Sequence, residues 1–191
     1  MADKAATSAG GGRVCPCAMA FTLDNWIRRL FQDPRKLVGT YIEPGDTVVD
    51  LGCGPGFFTI EMARMVGPEG RVIAVDLQTG MLNRVRKKAL RHGVAARITL
   101  HPCPADRIGL TCKADFVLAF YMVHETPHPL RFFKEIHAML KANGRLLVVE
   151  PRLHVRRAAF EAMVNDAHRA GMEPRACPGG KGGHAVLLVR R

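Results

Sequence analysis

The apolar positions of this chain fall into short β-branched runs separated by longer stretches with helical spacing. Thr47-Val48-Val49-Asp50-Leu51 follows the turn Glu43-Pro44-Gly45-Asp46 and predicts a buried strand. Phe57 to Val66 repeats apolar residues every three or four positions, which predicts a helix ended by Gly67-Pro68-Glu69-Gly70. Arg71-Val72-Ile73-Ala74-Val75 predicts the next strand. The alternation continues with a helix over Met81 to His92 and strands near Arg97 to His101 and Asp115 to Phe120. A helix over Pro129 to Lys141 and a strand at Arg145 to Val149 follow. The chain closes with a helix around Ala158 to Ala170 and strands near Met172 to Ala176 and Ala185 to Val189. A Pro178-Gly-Gly-Lys-Gly-Gly turn joins those last two directly, so they are expected to pair antiparallel at a sheet edge.

Strands that alternate with helices of this length use the helices as crossovers between parallel neighbours. The expected fold is α/β: a Rossmann-like, mainly parallel seven-stranded sheet with helices on both faces and an antiparallel last strand. Before it, Trp26, Ile27, Leu30, Phe31, Leu37 and Val38 predict two helical pieces, broken at Asp33-Pro34. Residues 1–12, rich in Ala, Ser and Gly, are expected to be a flexible tail, and 13–191 a single domain whose residues 13–45 form a helical preface. A chain of 191 residues can bury a sizeable core without disulfides or metals.

Hydrophobic residues at 48% and charged residues at 24% argue against a disordered or membrane-embedded chain. No signal peptide and no apolar run of membrane length are read in it, and its six cysteines are scattered, so a reducing cytoplasmic location is expected. The formal charge of +11 suits anionic partners without naming one. Part of the excess, Arg84, Lys87, Lys88 and Arg91, forms a single helix face opposite Leu82, Val85 and Ala89, whose simplest reading is a solvated surface. Peripheral contact with an acidic membrane surface stays open. Aromatics are only 6% of the chain and offer no stacking platform, which disfavours nucleic acid. Cys15-Pro16-Cys17 leaves three readings: reduced structural thiols, a redox pair, or a metal or metalloid site with Cys103, Cys177 or a histidine. It lacks the second ligand pair of a zinc site, and no metal is assigned.

The chemistry concentrates where the first strand meets the first long helix. Gly52, Gly54 and Gly56 stand at alternate positions there, in Asp50-Leu-Gly-Cys-Gly-Pro-Gly56, the place where open α/β sheets bind ligands. Asp76 ends the next strand, and a carboxylate at that point can accept two hydrogen bonds from a ribose diol. A dinucleotide oxidoreductase is the competing reading. Its G-x-G-x-x-G pattern needs a third glycine where Phe57 stands, and Phe57-Phe58 would crowd a pyrophosphate on the helix N-terminus.

Val48 through Gly56, with Val75-Asp76-Leu77 and Met81-Leu82 downstream, resembles the class I S-adenosylmethionine-dependent methyltransferases. The similarity is greatest to the small ubiquinone and menaquinone biosynthesis type and covers roughly residues 36 to 150. The resemblance implies S-adenosylmethionine as cofactor and S-adenosylhomocysteine as product. It implies that Asp50 and the backbone around Gly52, Cys53, Gly54 and Gly56 hold the methionine end, that Asp76 holds the ribose, and that Leu77 and Met81 flank the adenine. The family's Gly-Asp-Ala-like segment is replaced by Pro102-Cys103-Pro104-Ala105-Asp106, where backbone contacts from Cys103 are expected at the adenine edge. Phe120 should contact the cofactor at the end of the fourth strand. The sulfonium already makes the methyl electrophilic, so alignment is the protein's main task, and a base helps only an acceptor that must lose a proton. His124 is the first candidate for that base, with Glu125 and Tyr121 behind it. No Asn/Asp-Pro-Pro-aromatic motif of exocyclic-amine methylators is present, so the acceptor is expected to be a small molecule held partly by the preface. A non-catalytic protein that binds the same cofactor remains an alternative.

Overall fold

Among the described residues seven strands join into one sheet. A computed structural model of the chain describes residues 33–175 and 183–191. The expected tail, the preface up to residue 32, Cys15 and Cys17, Cys177 and the turn after Pro178 lie outside the described residues. The elements are α1 (Pro34–Val38), β1 (Thr47–Leu51), α2 (Phe57–Met65), β2 (Arg71–Asp76), α3 (Thr79–Arg91), β3 (Ile98–Pro102) and β4 (Ala114–Phe120). These are followed by α4 (Pro129–Met139), β5 (Leu140–Pro151), α5 (Arg157–Arg169), β6 (Met172–Arg175) and β7 (Gly183–Arg190). The strand order in the sheet is β3-β2-β1-β4-β5-β7-β6; the first five strands run parallel, and β7 lies antiparallel between β5 and β6.

The period of two along each strand divides the core. Val48, Val72, Phe116, Leu118 and Leu147 face α1 and α2, joined by Phe58, Ile60 and Met62. Ala74 meets Leu82 and Val85 of α3 on the same side. Val49, Ile73, Val117, Leu146 and Val148 face the opposite way, onto Phe133, Ile136 and Met139 of α4 and Met163 and Ala167 of α5. Both faces of the central strands are thus covered, which explains why β1 and β4 read as continuous apolar runs. On α3, Lys87 and Arg91 are exposed and Leu82, Val85 and Ala89 buried, as the spacing predicts.

Most boundaries fall within a residue or two of the sequence reading, and the junction of α4 with β5 differs most. Helix α4 stops at Met139 rather than Lys141, because Leu140 is already extended and pairs with Ala114 of β4. Register then shifts before Arg145 pairs with Phe116. Gly144 sits inside that irregularity, where a Cβ would lie 2.9 Å from the Ala114 carbonyl oxygen. A glycine that permits this close approach reads in sequence as an ordinary turn.

The strand order reverses at β1, which has β2 on one side and β4 on the other. A crevice therefore opens beyond the carboxyl ends of β1 and β4, where the two sets of crossovers diverge.

Candidate functional site

The crevice holds a cleft of about 920 Å³. One half of it is built by the turn from β1 into α2. Gly52, Gly54 and Gly56 have φ of 66°, 52° and 85°, a left-handed conformation that residues with a Cβ adopt only at a cost. Gly52 is packed close, for a Cβ there would meet Met122 Cβ at 2.9 Å. At Gly54 a Cβ would meet nothing within 4 Å, so that backbone faces open space on the cleft. Gly56 is buried at the head of α2 and does not line the cleft.

Two carboxylates stand at this turn. Asp76 accepts the Gly54 N–H and the Gln78 N–H, each at 2.8 Å, and burial raises its pKa. Asp50 is 2% exposed and accepts the Thr59 hydroxyl at 2.5 Å. Burial pushes its pKa up to about 7; the Thr59 hydrogen bond opposes this and the charge of Asp76 adds to it. Both line the cleft, as do Cys53 and Cys103. The two thiols have pKa values raised chiefly by burial, which makes them poor nucleophiles. Cys103 is tied in place by its N–H, which donates to the Asp76 carbonyl at 3.2 Å.

Leu77 is 41% exposed although apolar, and it borders the cleft next to Asp76. Met81 also borders it but is 2% exposed, so its side chain serves the core as well. Asp106, at the departure from the family pattern, is drawn into an ion pair with Arg131 at 3.5 Å. From Asp33 to Gly45, the described part of the expected preface, no residue lines the cleft.

The other half of the cleft comes from the ends of β4 and β5. Phe58, Phe120 and Tyr121 form an aromatic wall, with ring centroids 4.6 Å apart for the first pair and 4.1 Å for the second. Tyr121 has φ of 57°, the only positive value among the described non-glycine residues, and its N–H donates to the Val149 carbonyl at 2.7 Å. Such backbone strain in a bulky residue clusters at working sites.

A short 3-10 turn, Val123–Glu125, follows and carries His124 and Glu125 to the cleft. Sequence reasoning overlooked the residue that organises this turn. Glu150, at the end of β5, is fully buried. Its Oε1 accepts the Val123 N–H at 2.8 Å and the His124 N–H at 3.4 Å, while Oε2 lies 2.5 Å from His124 Nδ1. That hydrogen bond is the main cause raising the His124 pKa, and burial works against it. Glu125 also has a raised pKa, from burial first, countered by the neighbouring His124. The available signal for Glu150 was a carboxylate closing the apolar run Leu146 to Val149, a place where a charge needs a partner. Among the described residues no group of three or more His, Cys, Asp or Glu is placed to hold a metal ion.

Residues 42–185 match a family model described as a methyltransferase domain. The chain is 31% identical over 130 residues to a demethylmenaquinone methyltransferase of Lactobacillus johnsonii, covering 68% of this chain and 51% of that protein. It is 29% identical over 110 residues to a ubiquinone/menaquinone biosynthesis C-methyltransferase of Pseudomonas paraeruginosa, covering 57% of this chain and 43% of the relative. The chain thus spans about half the length of the curated relatives it matches. Among solved structures, a SAM dependent methyltransferase from Aquifex aeolicus superposes with a TM-score of 0.82 at 24% identity, over 93% of this chain and 100% of that one. At that identity the likeness speaks for the fold.

Proposed function

The chain belongs to the methyltransferase-domain family, of the class I S-adenosylmethionine-dependent kind, and from that premise we propose that it moves a methyl group from S-adenosylmethionine to a small-molecule acceptor. The observation that carries this is the pairing of an open, Cβ-free backbone at Gly54 with two buried carboxylates, Asp50 and Asp76, at the same turn. Burying two carboxylates beside each other is unfavourable unless a ligand offsets it, and a cofactor with ammonium and sulfonium charges does so. In this reading Asp50 and the Gly52–Gly54 backbone hold the methionine end, and the remaining acceptor capacity of Asp76 takes the ribose hydroxyls. Leu77, Met81 and the Cys103 backbone enclose the adenine, and Phe120 borders the methionine end. Gly56 acts through the turn rather than by contact. The bound cofactor supplies a methyl carbon that is already electrophilic, so this chain's residues orient the two reactants and exclude water.

The described residues contain no helix long and apolar enough to cross a membrane, and we place the reaction in the cytoplasm, where S-adenosylmethionine is available. The names of the relatives point to hydroquinone-like acceptors, and the aromatic wall beside His124 has the shape for a ring.

Thermal melting with S-adenosylmethionine, S-adenosylhomocysteine and NAD tests the reading, since a ligand bound only by the folded state raises its melting temperature. Both adenosyl ligands should raise it and NAD should not. Asp76→Ala should weaken S-adenosylhomocysteine about tenfold or more, roughly the 1.4 kcal/mol of a lost charged hydrogen bond. Stabilisation by NAD alone, or unchanged S-adenosylhomocysteine affinity in Asp76→Ala, overturns it. Release of S-adenosylhomocysteine in the presence of an acceptor separates an enzyme from a protein that only binds the cofactor.

A further inference from the structure

Glu150 is a fully buried carboxylate at the end of an apolar strand. It spends one oxygen on the Val123 and His124 backbone N–H groups and the other on the His124 ring. That arrangement fixes more than a loop. With Nδ1–H donated to Glu150, a neutral His124 must carry its lone pair on Nε2. The His124 side chain is 31% exposed and borders the cleft, so Nε2 is the nitrogen left for a ligand. A buried carboxylate that sets the tautomer and direction of an accessible imidazole is the arrangement of a base and its orienting acid.

The cofactor half of the cleft makes no use of this pair. Asp50, the glycine turn and Asp76 come from β1 and β2, whereas His124 and Glu150 come from β4 and β5, beside the aromatic wall of Phe120 and Tyr121. A group that only tied the loop down would need the two backbone contacts and not the ring.

We propose that His124, held by Glu150, accepts the proton of a phenolic hydroxyl on the acceptor, and that Glu150 is the positioning residue for that step. The inference rests on the methyltransferase reading above. The wall of Phe120 and Tyr121 suits an aromatic acceptor, and a phenol, with a pKa of about 10, gives up its proton to an imidazole far more readily than an aliphatic alcohol does. The ring of such an acceptor lies against Tyr121. As the O–H proton passes to His124 Nε2, an oxygen electron pair forms the bond to the sulfonium methyl carbon, and the C–S pair returns to sulfur. The products are an aryl methyl ether, neutral S-adenosylhomocysteine and an imidazolium that releases its proton to water.

Catechol serves as the hydroxyl probe, with aniline and thiophenol as amine and thiol controls, alongside NMR titration of the His124 ring in protein loaded with S-adenosylhomocysteine. Catechol should be methylated on oxygen in preference to both controls. His124→Gln should lower kcat by about 100-fold or more while leaving S-adenosylhomocysteine affinity within twofold. Glu150→Gln keeps an oxygen acceptor for the backbone N–H groups. It should lower the His124 pKa, move the acidic limb of the catechol pH profile to lower pH, and reduce kcat by about tenfold. The titration is read without turnover, and a melting curve for each variant establishes that it is folded. An unchanged His124 pKa in folded Glu150→Gln, turnover of catechol by His124→Gln within a few-fold of the parent, preference for aniline or thiophenol, or no methylation of catechol each overturns the proposal. Failure to bind S-adenosylhomocysteine at all instead sinks the methyltransferase reading beneath it.

Discussion

Replacing Asp50 with asparagine should stabilise the ligand-free protein at neutral and alkaline pH while disabling its site. Asp50 is 2% exposed and its pKa stands at about 7, against 3.8 in the absence of the fold, with burial the largest cause. A displacement of about three pH units, at roughly 1.4 kcal/mol each, is a ceiling of about 4 kcal/mol on the preference for the neutral carboxyl. Between pH 4 and 7 the folded chain holds a proton that the unfolded chain has released. The stability tied to this group is therefore complete below about pH 4 and is lost as the pH rises through about 7. Asparagine has no charge to bury and still offers an oxygen to the Thr59 hydroxyl, so it should escape that decline.

Some of the ceiling is lost to relaxation and to water reaching the cleft, which leaves a net gain of about 1–3 kcal/mol at pH 8. For a chain of this size each kcal/mol moves the melting temperature by roughly 2–4 °C. The assay is differential scanning calorimetry of both proteins from pH 3.5 to pH 8.5. The variant should melt at about the parent temperature below about pH 4 and several degrees higher at pH 8, the difference growing with pH through this range. A variant that melts below the parent at pH 8, or a difference that does not change with pH, refutes the account of Asp50 as a strained buried carboxylate. The same variant should lose most of its affinity for S-adenosylmethionine, because the unfavourable burial is what a cationic ligand relieves.

Gly52 and Gly54 of the turn should separate stability from binding. Gly52→Ala places a methyl 2.9 Å from Met122 Cβ at a left-handed φ and should destabilise by about 2–4 kcal/mol in urea unfolding. Gly54→Ala meets no atom and should lose only about 1–2 kcal/mol from backbone strain, yet weaken S-adenosylhomocysteine by more than tenfold in calorimetric titration, since the methyl projects into the cleft. Equal effects of the two variants on affinity would count against Gly54 as the point of closest ligand approach. Leu77→Ser removes a side chain that is 41% exposed and should change stability by no more than about 0.5 kcal/mol. If Leu77 covers the adenine, that variant loses roughly 1 kcal/mol of binding, or about fivefold in affinity by titration; unchanged affinity removes Leu77 from the site.

Much of this fold is legible in the sequence because its signals are local. Each strand from β1 to β4 is a short run rich in apolar residues, and each crossover helix carries its own apolar stripe, so β1 to β4 and α2 to α4 can be placed without knowing their neighbours. The failures are non-local. Leu140 joins β5 only because Ala114 offers it a partner, and the stretch up to Gly144 bulges because the Ala114 carbonyl lies against that glycine. Neither fact has a signature within residues 129–145, which read as a helix to Lys141, a turn at Gly144 and a strand from Arg145.

The two halves of the cleft differ in the same way. The cofactor half is built mainly from one continuous piece of chain from Asp50 to Met81, and its geometry follows from glycines and carboxylates at fixed offsets, so a single turn motif and one acidic residue reveal it. The acceptor half depends on the register between β4 and β5, which sets Phe120 opposite Val149 and so brings the next residue of each strand, Tyr121 and Glu150, to the same level. Twenty-six residues separate His124 from Glu150, and no spacing rule connects them. In sequence His124 is a lone histidine after a strand, with a structural role as reasonable as a chemical one. Only the pairing of parallel strands supplies the buried carboxylate that orients its ring. The glycine turn and Asp76 are therefore readable from a motif, whereas the pairing of His124 with Glu150 is written in strand register and emerges only with the structure.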